Sequence, residues 1–178
     1  MSALKREEPW KGHSDLQEIY PRVFLTNAFG ARNLRKLEEK NITHILVAGL
    51  FLDKPFLNSK RIEIIYEQLD LCDNATERDR IKMREALPFA MKFIDNALES
   101  SSRSNVLIHC GAGRSRSGAV AVAYVLHSDS KKQTINENTR KNGDTKNAVQ
   151  QAIDVVRKIR PIVEPNDAFI QALEDVFA

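Results

Sequence analysis

Cysteine is scarce in this chain: Cys72 and Cys110 are the two among 178 residues. Two thiols exclude a secreted disulfide framework, and with no Cys-x-x-Cys pair and no His/Cys cluster the spacing of a zinc site is missing as well. Long apolar runs are absent. Nothing approaches the roughly 18 consecutive apolar residues of a membrane-spanning helix, and the opening MSALKREEPWKG has no hydrophobic signal core. The expectation is a soluble chain of the cytoplasm or nucleus with no membrane span. Charge of one sign is lacking too: Lys and Arg exceed Asp and Glu by only three, too mild an excess to imply a nucleic-acid partner. What remains, 42% apolar and 29% charged residues, is ordinary globular composition in a chain long enough to bury one substantial core.

Residues 1–14 read as a flexible lead-in in which Trp10 is the one residue expected to dock, and residues 15–178 as the domain. Two short strands at 16–19 and 22–25 straddle Pro21. An amphipathic helix at 31–40 with Leu34 and Leu37 ends at Asn41, and the run 43–48 (THILVA) is a strong central strand that contains a structural His44. Residues 49–61 form a loop with Pro55. An extended run at 62–71 ends in the turn Cys72-Asp73-Asn74-Ala75, at a strand's carboxyl end. Apolar residues Ile81, Met83, Leu87, Ala90, Met91, Ile94 and Leu98 predict a long inward-facing helix at 77–99, which Pro88 should kink or split. The segment 127–146 is polar and reads as an insertion, disordered or partly helical. Helices follow at 148–159, closed by Arg160-Pro161, and after Pro165-Asn166, with Phe169, Ile170, Leu173 and Phe177 inward.

The chemistry concentrates at 106–118, VLIHCGAGRSRSG. Val106, Leu107 and Ile108 read as a buried strand, and residues 119–126 as a buried helix whose first turn begins near Ser115. Gly111 and Gly113 between them can adopt backbone angles closed to other residues. Successive N–H groups of Gly111, Ala112, Gly113, Arg114 and Ser115 can then face one concavity at the positive end of a helix, a cradle for a tetrahedral oxyanion such as phosphate, sulfate or vanadate. Cys110 stands at its mouth, where N–H dipoles, the helix N-terminus and Arg116 favour a nucleophilic thiolate. The planar fork of Arg116 suits two non-bridging phosphate oxygens. Ser117 can cap N–H groups or donate to the Cys110 sulfur. Cys110 alone would read as a buried structural thiol. A serine-hydrolase elbow fails, because Gly113-Arg114-Ser115-Arg116-Ser117 ends in serine where a second glycine is required.

His109, Cys110, Gly113, Ser115, Arg116 and Ser117 match the His-Cys-x-x-Gly-x-Ser-Arg-Ser signature in full, so the chain resembles the dual-specificity protein phosphatases, as a small member with a catalytic domain only. The Arg160-Pro161 and Pro165-Asn166-x-x-Phe169 endings are similar too, which extends the resemblance over roughly 16–178. It implies an α/β fold: a central mixed, mostly parallel twisted sheet of about five strands flanked by helices, with the phosphatase P-loop between a central strand and the next helix. By the same resemblance His109 orders the loop through backbone hydrogen bonds, and the segment 127–146 is longer than its counterpart in relatives.

Cleaving a phosphate monoester requires a proton for the leaving oxygen, so a carboxylic acid should face the cradle. Asp70, Asp73, Glu77 and Asp79 are the candidates. The pattern Tyr66-x-x-Leu69-x-Leu71-x-Asp73 resembles the family's acid-bearing stretch and points to Asp73. The implied chemistry has two steps through a phosphocysteine, with no metal or other cofactor. Its expected substrate is a phosphorylated protein, a kinase included, hydrolysed at phosphotyrosine and at phosphoserine or phosphothreonine. Two other readings stay open: the same chemistry on a phosphoinositide, an RNA 5′-phosphate or a phosphoglucan, and a non-catalytic phosphoprotein-binding module. A Cys72–Cys110 disulfide that protects an oxidised nucleophile is a further possibility.

Overall fold

The computed structural model describes residues 13–132 and 145–178. The lead-in expected at 1–14, Trp10 included, lies outside them except for its last two residues. Strand β5 (Asn105–Cys110) occupies the middle of a five-stranded sheet of order β1-β2-β5-β3-β4, where β1 is Gln17–Tyr20, β2 Val23–Asn27, β3 Ile42–Ala48 and β4 Ile65–Leu69. β1 runs antiparallel to β2, and the pairs β2 with β5, β5 with β3, and β3 with β4 are parallel. The sheet is therefore mixed and mostly parallel, with five strands.

Burial on both faces explains why β5 reads as an unbroken apolar run. Val106, Ile108 and Cys110 join Leu25, Leu46 and Ala48 in a core shared with helices α2 (Glu77–Ser100), α3 (Arg116–Lys132), α4 (Thr145–Ile159) and α5 (Asp167–Phe177). Leu107 faces the other way, with Ile45, Val47 and Phe24, onto α1 (Leu34–Glu39) and the chain around Ile64. Strand alternation thus places the Cys110 side chain on the four-helix side, at the sheet's carboxyl edge.

Several boundaries differ from the sequence reading. The helix expected at 31–40 begins only at Leu34, because a tight 3-10 turn over Gly30–Arg32 precedes it and the Asn33 side chain caps Lys36 N. Of the extended run 62–71, only β4 pairs in the sheet. Helix α2 runs unbroken through Pro88. The proline lies on the exposed face, so the carbonyl it deprives, that of exposed Arg84, can turn to water while Met83, Leu87, Ala90, Met91, Ile94 and Ala97 stay buried. Ile81 falls off that stripe and is exposed. Helix α3 continues to Lys132 and α4 starts at Thr145, so the two ends of the segment 127–146 are helical, and its residues 133–144 lie outside the described residues. Ser128 is buried there. No described helix is long and apolar enough to cross a membrane.

Candidate active site

Three segments converge where β5 ends. Asn27, last in β2, pairs with Cys110, and Ala28 N–H donates to the Gly111 carbonyl at 3.1 Å. The Asn27 side chain accepts from Phe29 and Gly30 N–H, which turns the chain away from the loop. Residues 111–115 then bend back into α3, which has no acidic residue in its first turn to neutralise the positive helix end.

One glycine of the loop is conformationally required. Gly113 has φ +67°, and a Cβ there would stand 2.5 Å from the Thr26 carbonyl oxygen and 2.6 Å from Arg160 Nη2. Gly111, expected to share that need, has no positive φ and only Arg116 Nη2 at 3.6 Å from a built Cβ. Any residue that keeps the loop narrow would serve there.

Cys110 is buried, and its sulfur accepts from Gly113 N–H at 3.2 Å and from Ser117 Oγ at 3.1 Å. Ser117 is fully buried, so the expectation that it donates to the sulfur matches its position. His109 contributes less hydrogen bonding than its expected loop-ordering role implies. Its Nδ1 meets the Cys110 carbonyl oxygen at 3.4 Å, its Nε2 is buried without a hydrogen bond, and burial lowers its pKa to about 4. At neutral pH it is an uncharged wedge under the loop.

Asp73 lies over the loop, as the reading of the turn at 72–75 anticipated. Its Oδ1 accepts from Ser115 Oγ at 2.8 Å and from Asn166 Nδ2 at 2.7 Å. Its Oδ2 stands 3.5 Å from Arg116 Nε, a nitrogen that is buried and makes no hydrogen bond. The rival carboxylates have other duties. Asp79 is buried in the capping box that starts α2, where hydrogen bonds from Thr76 and Asn74 outweigh burial and hold its carboxyl below the usual range. Glu77 pairs with Arg80, and Asp70 is exposed beyond β4. Arg114 is ion-paired with Glu164, so its charge beside the cradle is already shared. Cys72 is exposed and Cys110 buried, and both are free thiols.

Three participants escaped the sequence reading. Asn166 was visible only as a helix opener; it does cap α5, at Phe169 N–H, but its amide also holds Asp73. Gly49, just after β3, leaves the room that Arg116 occupies, since a Cβ there would sit 2.5 Å from Nη1. Arg160 was read as the end of a helix and is instead fully buried behind the loop. Among the described residues no three His, Cys, Asp or Glu side chains are grouped to hold a metal ion.

The arrangement joins a cysteine sulfur that holds the Gly113 N–H, the N-terminal end of a helix, a guanidinium and a carboxylate, the kinds of group that in-line displacement at phosphorus requires. Residues 23–139 match the family described as dual specificity phosphatase, catalytic domain. Among curated proteins, Dual specificity protein phosphatase 1B of Arabidopsis thaliana is 28% identical over 164 residues, which are 92% of this chain and 83% of that protein. Other relatives are longer, and the chain spans 20% of some of them. Among solved structures, the Yvh1 phosphatase domain from Chaetomium thermophilum superposes with a TM-score of 0.71 at 32% identity, over 86% of this chain and 89% of that one. The human tyrosine phosphatase-like serine/threonine/tyrosine-interacting protein does so with a TM-score of 0.70 at 25% identity, over 91% and 95% of the two chains.

Proposed function

The chain belongs to the dual-specificity phosphatase family, and from that membership we propose that it hydrolyses phosphotyrosine and phosphoserine or phosphothreonine in proteins through a phosphocysteine on Cys110. The observation that carries the reading is the convergence of Cys110, Arg116 and Asp73 on one loop. In the first step the Cys110 sulfur attacks phosphorus in line, the S–P bond forms, and the bond to the leaving oxygen breaks as Asp73 gives that oxygen its proton. Asp73 Oδ1 is anchored by Ser115 and Asn166, which leaves Oδ2 for the transfer. Arg116 then exchanges its loose contact with Asp73 for two phosphate oxygens, and the loop N–H groups take the rest of the charge. In the second step Asp73 takes a proton from water, the water oxygen bonds to phosphorus, and the S–P bond breaks. Ser117 donates to the departing sulfur.

The exposed approach to the loop supports a protein substrate. Ala28, Phe29, Gly111 and Ala112 line a shallow cavity of about 360 Å³ on one side. Ala112, Arg114, Ile162, Val163 and Glu164 line a larger one of about 730 Å³ on the other, which leaves room for residues flanking a phosphorylated side chain. The test is hydrolysis of p-nitrophenyl phosphate with and without EDTA, followed by matched panels of phosphopeptides and phosphoinositides. The proposal expects EDTA-insensitive turnover and preference for phosphopeptides. Preference for the lipids would move the substrate class, and tight phosphopeptide binding without turnover would make the domain a binder. Cys110→Ser should bind phosphopeptide and lose roughly 10³-fold or more in kcat.

A further inference from the structure

Arg160 is fully buried, and by residue volume it leads the described side chains of that kind. A guanidinium kept from water needs acceptors for its N–H groups, and this one draws them from three parts of the chain. Nε donates to the Gly113 carbonyl at 2.9 Å, Nη1 to Gln17 Oε1 at 2.6 Å and Nη2 to the His13 carbonyl at 2.9 Å. The first belongs to the loop that holds Cys110. Gly113 therefore has its N–H on the Cys110 sulfur and its carbonyl on the Arg160 fork. Peptide planarity carries the effect one bond further, because the C=O and N–H of a trans amide point in opposite directions. Fixing the Gly113 carbonyl inward turns the Arg114 N–H away from Arg160.

We propose that Arg160 is a positioning residue for phosphoryl transfer, a buried cation that sets the Gly113 peptide so that the loop's N–H groups face phosphate and the Gly113 N–H stays on the Cys110 sulfur. It touches no substrate. Electrostatics is consistent with this: burial lowers the guanidinium's pKa, while negative charge on Cys110 and on Asp15 acts against that. The other charged or titratable groups near the sulfur are His109 beside it, Arg116 at the start of α3 and Asp73 on Arg116, and a change at position 160 leaves all three in place. The proposal rests on Cys110 being the nucleophile.

Arg160→Met and Arg160→Lys in the full chain test it by three readouts: the pH midpoint of Cys110 alkylation by iodoacetamide, inhibition by vanadate, and the separation of kcat from KM. The methionine variant should raise the alkylation midpoint by about one pH unit, equivalent to tenfold less thiolate, and lower both kcat and vanadate affinity while KM changes less. The lysine variant keeps the charge but cannot span three acceptors, so it should recover the midpoint and not the vanadate affinity. A cooperatively melting methionine variant with wild-type midpoint and vanadate inhibition overturns the proposal. If that variant does not fold, wild-type vanadate affinity in the lysine variant overturns it. Failure of the nucleophile assignment looks different, because Cys110→Ser would then turn over as the unaltered protein does.

Discussion

The two ends of helix α3 use similar side chains to opposite effect. At its C-terminal end, His127 Nε2 and Lys131 Nζ reach Asp95 of α2 at 2.7 and 2.6 Å, and Tyr124 donates to the same carboxylate at 3.3 Å. Burial acts to raise the Asp95 pKa, but the hydrogen bonds from Lys131 and His127 prevail and hold it below the usual range. The Lys131 ammonium there also suits the negative end of the helix dipole. At the N-terminal end the set is again a cation, hydroxyls and a carboxylate: Arg116, Ser115 and Ser117, and Asp73. Here the set closes only in part, through Ser115 Oγ, which donates to Asp73 Oδ1 at 2.8 Å. Arg116 Nε stands 3.5 Å from Asp73 without a hydrogen bond, and Ser117 gives its proton to a sulfur. Polar groups that converge on each other stabilise a fold, whereas polar groups that converge on a hollow are arranged for a ligand.

Substitutions at the two ends should therefore separate activity from stability. Arg116→Lys retains the charge and loses the fork, and kcat/KM should fall by roughly 10³-fold at an unchanged melting temperature. A loss under tenfold would mean that the fork is not gripping phosphate. Asp73→Asn should lower kcat by roughly 10²-fold for phosphoserine peptides and by less for p-nitrophenyl phosphate, whose leaving group needs little protonation. Equal losses on both substrates would relocate the acid.

His109 predicts a pH effect on stability at the catalytic end. Its folded value of about 4 lies below the ordinary 6.5 of a histidine, so between those values the unfolded chain binds more protons and acid favours unfolding. This contribution is complete above about pH 6.5 and is lost as pH falls towards 4, amounting to about 2 kcal/mol between pH 7 and pH 5. Urea melts at the two pH values should show a flatter dependence in His109→Gln, and equal slopes would contradict the assignment. The smallest effect belongs to the other end of α3. Asp95→Ala should reduce stability by about 1 kcal/mol and leave kcat/KM unchanged, and a fall in turnover would break the contrast.

The candidate loop was legible in sequence because its logic is local: a buried strand, a glycine at φ +67°, and an arginine six residues past the cysteine all lie within 106–118. The central strands were legible because both faces are apolar. What sequence hid depends on contacts across long separations. Arg160 meets Gly113 from 47 residues away and Asn166 meets Asp73 from 93, and neither side chain announces its partner. Asn166 and Asp79 show a second limit, since a capping residue looks the same whether or not it also serves the site. Pro88 shows a third, because a helix tolerates proline on its wet face when the opposite stripe is buried, and the pattern alone did not weigh the two.

The most direct test of the account is to quench a turning-over reaction in acid and locate phosphorus by peptide mass spectrometry, in the unaltered protein and in Asp73→Asn, whose slowed second step should enrich the intermediate. The account predicts a phosphoryl group on Cys110 and on no other residue. Steady turnover with Cys110 unmodified at every quench time, or phosphorus on a different side chain, would contradict it.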